Sequence, residues 1–231
     1  MYSQLKKNAS KFALKYINDN NIIGIGSGTT VLHFIKILSK MQKKILGVVA
    51  ASKTSIKTLK KYNFNIYNIH DMNHINIYFD SADEINQDMQ MIKGGGGALT
   101  NEKIIANFAK IFVCIVDQSK IVNNLGITHP LPIEIIPSSK SYITKIISNL
   151  GAIVKYRPYF TTEHGNIILD VYNLNIYNPI KTEEYINAIP GVITVGLFAN
   201  RPADIVVIGE KNLLVSTKYN MWFKKYLFNY N

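Results

Sequence analysis

The sequence predicts an α/β protein, with a mostly parallel sheet followed by a smaller α+β unit. Two observations carry this. Up to about residue 117 strands alternate with helices, and several strands are continuous apolar runs, the mark of parallel strands buried on both faces. From about Leu131 the order becomes strand, helix, strand, strand, helix, strand, the split order of a ferredoxin-like unit.

In chain order, residues 3–19 carry Leu5, Ala9, Phe12, Ala13, Tyr16 and Ile17 at helical spacing. A short strand at 21–25 runs into a glycine-rich turn, and 30–41 is a helix with Val31, Phe34, Ile35 and Leu38 inward. A strand at 46–50, a helix at 53–62, strands at 65–69 and 76–80, a helix at 101–110 and a strand at 111–117 complete the first series. The second has strands at 131–136, 153–158, 166–172 and 192–198, with helices at 140–150 and 182–189. Its internal hairpin turns near 163–166. A last apolar strand at 204–209 suits a return to the first sheet. The expected division is a discontinuous catalytic domain, 1–128 and 200–231, and a ferredoxin-like domain, 129–199. In the final stretch, Trp222, Phe223, Tyr226, Leu227 and Phe228 suit an amphipathic helix.

The chain of 231 residues is 47% hydrophobic and 18% charged, enough apolar residue to bury a full core. Its formal net charge is +11, but lysine recurs along the whole chain, with no run of five basic residues and no arginine-rich arm. That pattern argues against a nucleic-acid partner and favours capture of small anions. The single cysteine, Cys114, lies in an apolar strand and permits no internal disulfide, which fits a reducing compartment. Lysines interrupt the N-terminal apolar residues, and no window has the length of a membrane span. The expectation is a soluble, cytoplasmic protein.

Four motifs follow strands of the first series. The turn 24–30 has glycine at 24, 26 and 28, then Thr29 and Thr30, and opens a helix. Such a turn lets the backbone approach an anion, and the helix N-terminus offers N–H groups and the positive end of its dipole. Ser27, Gly28, Thr29 and Thr30 are its candidate ligands. A dinucleotide fingerprint would need a third glycine at position 29, and a P-loop would need a lysine before its hydroxyl residue. Asp80, Ser81, Ala82 and Asp83 end an apolar strand, where two carboxylates three residues apart can converge on a substrate or simply cap a turn.

Lys93, Gly94, Gly95, Gly96 and Gly97 form a loop whose ordering is entropically costly, which suits amides lining an anionic or polyhydroxyl ligand. Glu102 lies in the first turn of the next helix, as a base or a capping carboxylate. Lys120 closes the motif 117–120 as a point charge for phosphate or a surface lysine. Together the motifs suit proton abstraction beside a carbonyl, with cations stabilising the anion that develops. The five histidines have no ligand spacing with carboxylates, so no metal is expected.

In these motifs, and in the segments 132–137 and 190–198, the chain resembles ribose-5-phosphate isomerase of the A type over about residues 1–210. The resemblance implies a Rossmann-like first domain, a homodimer, no cofactor, and metal-free interconversion of D-ribose 5-phosphate and D-ribulose 5-phosphate. It places Glu102 at the general base and Asp80 and Asp83 at substrate-binding carboxylates that assist ring opening. Lys93 joins them as a catalytic residue, and Ser27 to Thr30, Ser81, Ala82, Lys93 to Gly96 and Lys120 fall in substrate-binding segments, with Lys6 a further phosphate candidate. The chain departs from the family pattern at Ser81, usually glycine, at Asn101, often basic, and after about Gly209. Two other classes fit parts of the pattern. A non-catalytic sugar-phosphate sensor would need a DNA-binding segment, for which there is no room before Ile22. A transferase using a nucleoside cofactor would need an acidic residue after the second strand, which ends Val49-Ala50-Ala51-Ser52-Lys53.

Overall fold

The computed structural model describes residues 2–41, 45–209 and 214–217. The helix expected around Trp222 to Phe228 lies outside the described residues. The elements in order are α1 (Tyr2–Ala13), β1 (Ile22–Ile25), α2 (Gly28–Leu38), β2 (Gly47–Ala50), α3 (Lys53–Lys61) and β3 (Ile75–Asp80). The short strands β4 (Glu84–Ile85) and β5 (Met91–Ile92) follow, then α4 (Leu99–Phe108) and β6 (Ala109–Asp117). The second series is β7 (Leu131–Ile135), α5 (Lys140–Ser148), β8 (Ile153–Tyr156), β9 (Ile167–Tyr172), α6 (Pro179–Asn187) and β10 (Val192–Val195). The chain ends with β11 (Leu197–Phe198), β12 (Ile205–Gly209) and β13 (Leu214–Thr217).

These elements form two compact units. The first comprises the chain to Ala82, Ile104–Lys120 and the chain from Ala203; the second comprises Asp83–Lys103 and Ile121–Pro202. The sequence expectation keeps 83–103 with the first domain, whereas this division groups it with the second series.

The first unit holds a six-stranded sheet ordered β13-β12-β6-β3-β1-β2. Its strands pair in parallel except for the antiparallel hairpin of β12 and β13. Strand β12 does return to this sheet, beside β6, with Val206 opposite Cys114. Isoleucine and phenylalanine fill the space between the sheet and α1, α2 and α3: Ile23, Ile25, Phe34, Ile35 and Phe79 are all fully buried. The rings of Phe34 and Phe79 stack at 4.6 Å between centroids. Each such side chain contributes roughly 1.5–3 kcal/mol of transfer free energy.

The second unit holds a four-stranded antiparallel sheet ordered β10-β7-β9-β8, the strand order of a ferredoxin-like fold. Ile133, Ile135 and Leu169 from the sheet pack with Ile143 and Ile147 of α5 and Ile186 of α6. A three-stranded sheet, β11-β5-β4, lies in the same unit.

The structure departs from the expected elements in three places. The stretch 65–69 makes only an isolated bridge from Ile66 to Val48 and then a 3-10 turn at Ile69–Asp71. The expected strand 192–198 is two strands in two sheets, broken at Gly196. A Cβ on Gly196 would lie 2.3 Å from the Lys93 carbonyl oxygen, so only glycine lets the chain cross there. Strands β4 and β5, two residues each, are too short to show a period in the sequence. They are joined by a turn that Asn86 shapes by accepting from the Asp88 and Gln90 amides.

Candidate active site

In the first unit, the candidate residues meet where β1 and β3 end side by side. The chain leaves β1 with the Gly26 amide donating to the Phe79 carbonyl at 2.8 Å, so the turn stays clipped to its neighbouring strand. Asp80, fully buried, then organises the turn itself. Its Oδ1 accepts from the backbone amides of Ser27 at 3.0 Å and Ser81 at 2.7 Å, and its Oδ2 accepts from the Tyr78 hydroxyl. A Cβ on Gly26 would fall 1.9 Å from the Asp80 carboxyl carbon, so that glycine is required by close approach. Gly28, at φ +87, opens α2, and the Ser27 side chain does not cap it. Ser55 Oγ donates to the Gly26 carbonyl at 2.6 Å, bracing the turn from the start of α3. Ser81 is not among the residues with positive φ, so its departure from glycine carries no backbone strain. Its hydroxyl points at the Ser27 carbonyl, 3.4 Å away.

A cation lies beside the exposed end of this turn. Lys6 Nζ lies 3.5 Å from Thr29 Oγ1 and 3.7 Å from the Asp117 carboxylate. Asp117 also accepts from the amide and hydroxyl of Ser119, which sets the 3-10 turn Gln118–Lys120 that carries Lys120. His33, one turn along α2 from Thr29 and Thr30, has its pKa lowered by desolvation first and then by Lys7, Lys6 and Lys36. Lys6, Lys7 and Lys36 thus bring positive charge to the start of α2, where it would attract an anion.

In the second unit, Asp83 Oδ2 accepts from the Gly95 amide at 2.8 Å, and the Asp83 amide donates to Ile92 at 2.8 Å. The Lys93 amide donates to Gly196 at 2.8 Å, and the Gly97 amide closes a turn onto the Gly94 carbonyl at 2.9 Å. Gly94 and Gly97 have φ of +104 and +77, conformations that a side chain would strain. Lys93 Nζ sits 3.2 Å from Glu102 Oε2, with both side chains 3% exposed. The ammonium offsets the charge of a carboxylate that burial alone would disfavour. The first turn of α4, which carries Glu102, is anchored by Thr100 donating to the buried Glu134 at 2.5 Å. Thr162 and Asn166 donate to the other oxygen of Glu134, at 2.7 and 2.9 Å. Asn101, where a cation is common in the resembled family, is 2.8 Å from His164 Nε2.

Within the first unit Ser27, Asp80 and Ser81 are in direct contact, as are Lys6 and Thr29; within the second, Asp83 contacts Gly95 and Lys93 contacts Glu102. Sequence reasoning missed the supports: Tyr78, Glu134, Gly196 and above all Arg157, which donates to the Gly94 and Gly95 carbonyls at 3.4 and 3.2 Å. One signal was available. Only two of the 26 basic residues are arginine, Arg157 and Arg201, so a chain otherwise rich in lysine has a planar fork at just these two positions. Among the described residues no group of three or more His, Cys, Asp or Glu side chains could hold a metal ion.

The family described as ribose 5-phosphate isomerase A (phosphoriboisomerase A) matches residues 47–213. The chain is 54% identical over 209 residues to ribose-5-phosphate isomerase A of Buchnera aphidicola from Acyrthosiphon pisum, covering 90% of this chain and 93% of that one. It is 48% identical over 206 residues to the protein of that name from Haemophilus influenzae, covering 89% and 94%. Among solved structures, ribose 5 phosphate isomerase A of Neisseria gonorrhoeae superimposes with a TM-score of 0.92 at 40% identity, over 94% of this chain and 98% of its own. A D-ribose-5-phosphate isomerase in complex with phospho-erythronic acid gives a TM-score of 0.91 at 34% identity, over 94% and 99%. A match of this extent means that the chain belongs to the ribose 5-phosphate isomerase A family.

Proposed function

We propose that Glu102 is the general base with which this isomerase interconverts D-ribose 5-phosphate and D-ribulose 5-phosphate, without a metal ion. The observation that carries the reading is the buried pair of Glu102 with Lys93, 3.2 Å apart at the end of a glycine loop. In the open-chain aldose, the Glu102 carboxylate takes the C2 proton and the electron pair moves toward the C1 carbonyl oxygen. The resulting enediolate is stabilised by Lys93 and loop amides; a proton passes from the C2 hydroxyl to the C1 oxygen, and as the C2 carbonyl forms the same carboxyl group returns its proton to C1 to give the ketose.

Asp80 and Asp83 bind the sugar hydroxyls and assist ring opening. The support for Asp83 is its half-exposed carboxylate on the Gly95 amide, and for Asp80 its command of the 27–28 turn. Ser27 to Thr30, Ser81, Ala82, Lys93 to Gly96 and Lys120 bind substrate, with the phosphate taken by Thr29, Thr30, Lys6 and Lys120. Lys6 beside Thr29 and the uncapped start of α2 support that placement. No bound cofactor is used. The chain acts in the cytoplasm as a homodimer in the pentose phosphate pathway; among the described residues no helix is long and apolar enough to cross a membrane.

The test is isomerisation of ribose 5-phosphate by the purified protein, with and without EDTA, beside Glu102→Gln. Activity should survive EDTA, and kcat should fall roughly 100- to 10,000-fold in the variant. Near wild-type turnover by a folded Glu102→Gln protein would remove Glu102 as the base, and loss of activity in EDTA would overturn metal independence.

A further inference from the structure

The guanidinium of Arg157, just beyond β8, is held by a two-pronged ion pair: Nε to Asp170 Oδ2 at 2.8 Å and Nη2 to Asp170 Oδ1 at 2.5 Å. Asp170 lies on the neighbouring strand β9, directly opposite Lys155. That pairing uses one edge of the guanidinium and fixes its plane. The remaining nitrogen, Nη1, reaches two successive carbonyls of the glycine loop, Gly94 at 3.4 Å and Gly95 at 3.2 Å. In a trans peptide unit the N–H points opposite to the C=O. Drawing the Gly94 and Gly95 carbonyls toward Arg157 therefore turns the Gly95 and Gly96 amides the other way. The Gly95 amide goes to Asp83 Oδ2 at 2.8 Å, as this geometry requires.

Glycine has the widest conformational freedom of any residue, and four in a row would sample many loop shapes. Something outside the loop must select one. Phe160, in the same hairpin, adds to the selection: its ring occupies the space beside Gly97, where an added Cβ would lie 2.1 Å from the ring tip. The Arg157 guanidinium is 5.5 Å from the centroid of that ring. A lysine at 157 would keep the charge but could not hold Asp170 with two prongs while contacting two carbonyls.

We propose that Arg157, oriented by Asp170, is a positioning residue for the isomerisation, which selects the shape of loop 94–97 and thereby aims the Asp83 carboxylate and the Gly96 amide at the substrate. It touches no reacting atom and acts through Gly94 and Gly95. The inference rests on the proposed substrate-binding role of Asp83 and the glycine loop.

The experiment measures kcat, KM, the inhibition constant for phospho-erythronic acid and the thermal midpoint for wild type, Arg157→Lys and Arg157→Ala. In Arg157→Lys, KM and the inhibition constant should both rise roughly tenfold, the loss expected for one charge-assisted hydrogen bond. Because Glu102 and Lys93 are untouched, kcat should change less than KM. Millimolar guanidinium, but not ammonium, should restore part of the lost affinity in Arg157→Ala. Should that variant fail to fold, Arg157→Lys decides alone. A folded Arg157→Lys protein with KM and inhibition within about twofold of wild type would overturn the proposal. So would a defect explained wholly by a smaller folded fraction. An inactive, folded wild type would instead overturn the isomerase reading.

Discussion

The turn at 26–28 and the loop at 94–97 are both rich in glycine, yet they are held in opposite ways. The first is held by its own sheet. Strands β1 and β3 are neighbours, and the carboxylate that organises the turn, Asp80, is the last residue of the adjacent strand. The glycine at 26 is there because a neighbouring side chain must pass. The second is held from outside, by residues 157, 160 and 196, which are distant in sequence and belong to the hairpin and the strand break of the second series. Gly94 and Gly97 are there because the backbone must turn, at φ +104 and +77. A glycine-rich segment can thus be rigid for steric reasons at one position and for conformational reasons at another, with different sensitivity to substitution.

Gly26→Ala tests the first case and should have the largest effect. The new methyl would displace the Asp80 carboxylate from two amides and a phenol at once, and the buried charge would lose its partners. We expect a loss of about 3 kcal/mol or more in urea unfolding, together with loss of substrate binding. A variant that unfolds within about 1 kcal/mol of wild type would show that the sheet does not hold the turn this tightly.

Gly97→Ala tests the second case and should cost less. Phe160 can swing its ring aside, so the cost lies mainly in the positive φ, about 1–2 kcal/mol. Adding Phe160→Ala should therefore recover little of the lost stability. Full recovery in the double variant would mean that the ring, not the backbone, sets the requirement for glycine.

The smallest expected effect concerns Lys103, which comes directly after Glu102 on α4. Its ammonium donates to Glu183 at 2.6 Å and to the Leu197 carbonyl at 2.7 Å. Its pKa lies below 10.5, chiefly through desolvation, with Glu183 acting in the opposite direction. The folded state thus loses this proton at lower pH than the unfolded state does. The destabilisation is complete below the folded pKa and is relieved as pH rises toward 10.5, so this residue's contribution to stability increases with pH in that window. Glu183→Gln removes the opposing effect and should widen the window downward. Urea unfolding at neutral and alkaline pH should show the variant closer to wild type at alkaline pH. A pH-independent difference would show that the pair does not titrate in this way.

Glycine patterns and strand-end carboxylates were legible in the sequence because both arise from local chemistry. A turn between a parallel strand and a helix must place certain residue types at fixed offsets, as at Ser27 to Thr30, while Asp80 and Asp83 stand at a strand end and Lys93 and Glu102 flank a run of four glycines. The order of strands and helices was legible too, since periods of 2 and 3.6 report burial directly. The short strands β4 and β5 and the break at Gly196 were not. Two residues show no period, and a strand that changes partners keeps the same apolar pattern throughout.

Fold class, family and the residue types of the candidate site were therefore readable from the chain alone, because each is encoded in neighbouring positions. What holds those residues in place emerged only from packing in three dimensions. Arg157 lies 62 positions from the Gly95 carbonyl it engages, and Glu134 lies 34 positions from Thr100. Contacts over such separations depend on how the chain packs, which no local pattern of residues records.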